Sequence, residues 1–136
     1  MDGLQGAILD IKLKYLDSWN NRRRAIAKRY QMEIKNGSIQ MQLQPDWADS
    51  IYHLFVVLTQ NRSHFIDFMA SNGISIGLHY PVPCHLQEAY SHLGYKNGDF
   101  PIAEWQAKSC CSLPMFAEMT DEEVDYVIEK VNKYTL

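Results

Sequence analysis

Three cysteines in 136 residues are too few, and too badly placed, to make a disulfide framework. The number is odd, and Cys110 and Cys111 are neighbours, without the C-x-x-C spacing of zinc and redox sites. The thiols are therefore expected to be buried and free, as in a reducing cytoplasm. No apolar run approaches the ~20 residues that a membrane span requires. The polar first residues turn helical at once and carry no secretory pattern, so the expected location is cytoplasmic and no membrane partner is expected. A strong excess of one charge is also missing: 13 basic and 16 acidic side chains leave a net charge of −3. That balance gives no reason to expect nucleic acid or an anionic surface as a partner. There is no G-x-S-x-G elbow, no Gly-rich phosphate loop and no H-E-x-x-H. Repeats, low-complexity tracts and internal linkers are absent as well.

What is present is the composition of a folded domain, 46% hydrophobic and 21% charged. The length suits one domain, residues 1–136, with a sizeable core. From Leu4 to Asn36, apolar residues recur at helical spacing (Leu4, Ile8, Ile11, Tyr15, Trp19, Ile26, Tyr30) and Asn36-Gly37 ends the pattern. Roughly 33 residues at 1.5 Å each would make a helix of about 50 Å. A domain of this size is only about 35–40 Å across. The helix must kink, or its first turns must overhang the core.

Three strands are expected. Ile39–Gln44 alternates, with Ile39, Met41 and Leu43 on one face, until Pro45-Asp46 stops it. Ile51–Leu58 is a nearly continuous β-prone run and reads as a central strand. Ile74–Leu78 is the third and feeds the loop that follows. Between the last two, Arg62 to Asn72 has helical spacing. His85 to His92 and Pro101 to Lys108 read as helices, and Ser109 to Ser112 as an edge strand or extended loop. The last helix starts at a capping box, Thr120 with Glu123. This order predicts an α+β fold: a small, mainly antiparallel sheet covered by helices, with a long N-terminal helix.

The candidate chemistry lies between His79 and Tyr90. Pro81 and Pro83 hold the backbone extended, so His79, Tyr80 and His85 are offered from a stiff turn. Such rings can grip a polar ligand or can merely satisfy loop hydrogen bonds, and the residues alone leave both readings open. Zinc lacks the three- and four-ligand spacings, so no metal site is assigned. Arg22, Arg23, Arg24, Lys28 and Arg29 wind around the long helix and read as a solvated face. Asp121, Glu122, Glu123 and Asp125 read as structural acids at a helix N-terminus.

The run Met1-Asp2-Gly3-Leu4-Gln5-Gly6-Ala7-Ile8-Leu9, followed by Lys12-Leu13, resembles the linker helix of the DegT/DnrJ-type sugar aminotransferases. The likeness continues through Tyr52-His53-Leu54-Phe55-Val56-Val57, Arg62, Phe65 and Asn72-Gly73-Ile74. It takes in His79-Tyr80-Pro81-Val82-Pro83-Cys84-His85-Leu86, Leu93-Gly94-Tyr95 and Phe100-Pro101-Ile102-Ala103-Glu104. It ends with Leu113-Pro114-Met115-Phe116 and Met119-Thr120, so it spans essentially the whole chain in order. The resemblance implies the C-terminal small domain of an enzyme that uses pyridoxal phosphate to aminate keto-sugars attached to nucleotides. It places the cofactor and its Schiff-base lysine in a large domain upstream. Lys12, Lys14, Lys28, Lys35, Lys96, Lys108, Lys130 and Lys133 match no such lysine, so no catalytic or cofactor-binding residue is assigned. His79, Tyr80 and His85 would close over the sugar nucleotide, touching hydroxyls or phosphates. The resemblance further implies a homodimer for the complete enzyme and no activity for this chain alone. A stand-alone binding or interaction module on the same fold is the alternative.

Overall fold

In the computed structural model, which describes residues 2–136, the expected N-terminal helix is broken in two. Helix α1 spans Gly3–Leu13 and opens on Asp2, whose carboxylate accepts the Gln5 N–H at 2.8 Å. Helix α2 spans Leu16–Glu33. At the join, the Tyr15 N–H donates to Lys12 O, a tighter three-residue turn, and the Ser18 hydroxyl also donates to Tyr15 O. No proline or glycine marks this break. Lys14 and Tyr15 nevertheless keep right-handed helical backbone, α1 buries no residue and Leu4 is 73% exposed, so the first turns overhang the core. From α2, Ile26, Ala27 and Tyr30 enter the core.

Strands β1 (Gln40–Met41), β2 (Phe55–Leu58) and β3 (Cys110–Leu113) form an antiparallel sheet in the order β1-β2-β3. The expected central strand is central, but it starts late. Tyr52 takes a left-handed backbone (φ 50°), which interrupts the extended run before Phe55. The expected first strand shrinks to two residues. Ile39 is buried, but Leu43 is 95% exposed, so the alternation there does not mark a buried face. Ile74–Leu78 is not a strand of the sheet. It meets β3 only at Gly77, which exchanges two hydrogen bonds with Ser112 at 3.0 and 2.8 Å. The third strand is instead β3, foreseen only as an edge strand or loop.

The register gives the sheet two different faces. Residues directly opposite in an antiparallel pair share a face. Phe55 pairs with Leu113 and Val57 with Cys111, and all four lie in the core with α2, α3 (Arg62–Ser71) and α5 (Asp121–Lys133). Val56 pairs with Ser112 and Leu58 with Cys110, which puts these four on the other face. That face is covered by α4 (Pro101–Ser109) and the histidine loop. The loop continues into two 3-10 helices, Cys84–Leu86 and Glu88–Leu93, where one short helix, His85 to His92, was expected.

The capping box of α5 is formed, and Val124, Val127, Ile128 and Val131 bury its apolar stripe. The basic cluster of α2 does more than face solvent. Arg22 donates to Asp121 at 2.8 Å and to Met119 O at 2.7 Å, and Arg29 pairs with Glu33 and Asp125. The acids at the start of α5 therefore tie it to α2.

Candidate functional site

The second face of the sheet floors a cavity of about 570 Å³. Val56, Leu58 and Cys110 lie below, Ala103, Gln106 and Ala107 of α4 on one side, and His79, Tyr80, Val82, Cys84, His85 and Gln87 on the other. All three expected site residues thus meet in one place. No described residue of the lining is a lysine or arginine.

Each histidine spends one ring nitrogen on the protein. His79 Nδ1 is 2.9 Å from the Ser112 hydroxyl, which β3 presents on the cavity face. Gly77 is what lets the imidazole come this close: a Cβ there would lie 2.6 Å from His79 Cε1. The His79–Tyr80 peptide bond is cis, and Tyr80 O takes a 3.7 Å contact from the Cys110 thiol. Tyr80, also in the lining, is 69% exposed. His85 Nε2 lies 3.0 Å from Glu104 Oε1, and both side chains are nearly buried. Glu104 also accepts the Gly98 N–H, at 2.8 and 3.0 Å to its two oxygens, and the Phe100 N–H at 3.3 Å. Burial opposes its charge, but these hydrogen bonds from Gly98, Phe100 and His85 win and hold the carboxyl below its ordinary value. The Phe100 ring stands edge-on to His85 at 4.8 Å.

Arg62, at the start of α3, donates to Ala107 O and to Cys110 O, which fixes the end of α4 against the sheet. Glu104, Ser112, Gly77 and Arg62 are the supports that the sequence reading did not assign. Glu104 had a weak signal of its own: it lies three residues before the buried Ala107, on the same face of α4.

The thiols divide. Cys110 and Cys111 are buried, and burial pushes the Cys111 thiol up to about 12, which makes it inert at neutral pH. Cys84 is exposed, against the expectation of burial, because the 3-10 turn holds it at the cavity wall. Among the described residues no three His, Cys, Asp or Glu side chains are grouped as a metal site would need. No described helix is long and apolar enough to cross a membrane.

The model of the DegT/DnrJ/EryC1/StrS aminotransferase family matches residues 1–132. The chain is 43% identical, over 134 residues, to a dTDP-3-amino-3,6-dideoxy-alpha-D-galactopyranose transaminase of Aneurinibacillus thermoaerophilus, covering 98% of this chain and 36% of that protein. It is 42% identical, over 129 residues, to the erythromycin biosynthesis sensory transduction protein EryC1 of Saccharopolyspora erythraea, covering 94% of this chain and 35% of that one. Among solved structures, S. venezuelae DesV in complex with a ketimine intermediate matches with a TM-score of 0.93 and 34% identity, over 98% of this chain and 36% of that one. The chain spans about a third of the length of the curated relatives it matches. The motifs quoted above, of which Met1 alone lies outside the described residues, fall within that match, and the chain belongs to the DegT/DnrJ/EryC1/StrS aminotransferase family.

Proposed function

We propose that this chain is the C-terminal, substrate-contacting domain of a pyridoxal-phosphate-dependent aminotransferase that acts on a nucleotide-linked keto-sugar, and that it is not active alone. One observation carries this reading: His79, Tyr80 and His85 meet at one cavity that holds neither lysine nor arginine. Those residues do not fit the cofactor, since none is an amine for a Schiff base and none a cation for its phosphate. They do fit a hydroxylated ring. Val56, Leu58, Val82 and Phe100 give it an apolar wall, while the imidazoles and the phenol supply hydrogen bonds. The chain's part in the reaction is then to orient the sugar and exclude water. Relatives named as dTDP-amino-sugar transaminases support the substrate class. The family resemblance supports a homodimer for the complete enzyme and a cytoplasmic site of action.

The test is a pair of half-reactions in the complete enzyme. His79→Ala or His85→Ala should lower kcat/KM for the nucleotide-sugar about five- to a hundred-fold, the loss of one hydrogen bond to a neutral or charged group. The half-reaction with the amino donor should stay near wild type. Equal losses in both would mark a folding defect. No loss in either would leave the histidines structural and favour a binding module without catalysis.

A further inference from the structure

The two histidines are anchored by groups of different kinds. A serine hydroxyl donates or accepts as required, so Ser112 accommodates either state of the His79 ring. An ionised carboxylate only accepts, so the 3.0 Å contact with Glu104 requires the hydrogen on His85 Nε2. His85 Nδ1 makes no hydrogen bond within the described residues. Glu104 is itself immobilised: it is 8% exposed and receives two backbone N–H groups, from Gly98 and Phe100, besides the imidazole. It cannot turn away from the ring without giving up both of those donors.

We propose that Glu104 is the positioning residue of the sugar site, holding His85 by Nε2–H so that Nδ1 stands as a bare acceptor for a ligand hydroxyl. A hydroxyl has a hydrogen to give to that lone pair, whereas a phosphate oxygen has none and would be repelled by it. The lining agrees, because a diphosphate would find no cation there. His85 therefore reads the neutral sugar ring, and the diphosphate lies outside this cavity. The choice of ligand rests on the aminotransferase reading; the state of the ring does not.

Two measurements separate these layers. In the chain itself, long-range nitrogen-15 NMR of the imidazoles at mildly alkaline pH should show His85 with Nε2 protonated and Nδ1 bare. Glu104→Asp should keep that state, while Glu104→Leu, which offers Nε2 no acceptor, should let the second tautomer appear beside the first, with the His79 signals unmoved; Glu104→Gln keeps a carbonyl acceptor for the donors that meet at Oε1 and is no test. A mixed or Nδ1-protonated ring in the wild type, or an unchanged single tautomer in Glu104→Leu, would overturn the proposal. In the complete enzyme, Glu104→Leu should cost about three- to tenfold in kcat/KM for the nucleotide-sugar, through KM, and leave the donor half-reaction intact. Inhibition by thymidine diphosphate, which lacks the sugar hydroxyls, should be unchanged. Weakened inhibition would mean that His85 reads phosphate and would overturn the hydroxyl assignment. A correct tautomer in a complete enzyme that aminates no sugar would instead refute the aminotransferase reading and leave the role of Glu104 standing.

Discussion

Gly77 holds its place by what it lacks. A side chain there would meet His79 Cε1 at 2.6 Å and Nδ1 at 3.2 Å, with Ser112 Cβ just behind at 3.6 Å. Its backbone is not left-handed, so alanine fits the chain and collides only with the imidazole. Gly77→Ala should therefore keep the melting temperature and cost the complete enzyme as much sugar specificity as His79→Ala. A Gly77→Ala enzyme with full specificity would separate His79 from the site. Glu104 makes a pH prediction. Its folded pKa is lowered from an ordinary value near 4.5, so its stabilisation is complete above that value and is lost as pH falls through the folded pKa. Denaturant unfolding of wild type and Glu104→Gln should differ most near neutrality and converge in acid once the pH has fallen through the folded pKa of Glu104. A gap independent of pH would show that the carboxylate's charge is not what matters. At this scale the grouping of His79, Tyr80 and His85 around one cavity was legible, because proline stiffens the loop that carries them. Their supports were not, because Ser112 and Gly77 become partners of His79 only through β-pairing across 35 positions of sequence.

At the scale of elements, spacing and cap signals located α3 and α4 to within a residue, and α5 starts at its capping box but ends at Lys133, short of the expected C-terminus. It failed where one residue's backbone or a tertiary pairing decided the matter. Tyr52 cut the central strand, Leu43 fell outside the sheet, and the break at Tyr15 came from hydrogen bonding with no breaker residue to announce it. Cys110–Leu113 is short and buried on both faces, so it shows no alternation to read. Helix α1 carries the element-scale prediction. Eleven residues with no buried side chain make a marginal helix in water. Its amides should exchange with solvent orders of magnitude faster than those around Ile26 to Tyr30 in α2, as hydrogen–deuterium exchange would resolve. Equal protection would mean that α1 is covered in solution, by a second copy of the chain or by itself.

For the whole molecule, the sheet divides labour between its faces. The core side, with Tyr30, Phe65, Val57 and Val131 fully buried, holds the fold together. The other side is left for α4, the histidine loop and the cavity between them. In the proposed function that division gives this chain the sugar contacts, and the curated relatives it matches are about three times its length. The most direct check is to mix the purified chain with pyridoxal phosphate, reduce with borohydride and map the labelled peptides. The account predicts at most weak, scattered labelling over the eight lysines. One lysine labelled in stoichiometric yield would contradict it, because the chain would then carry a cofactor site of its own.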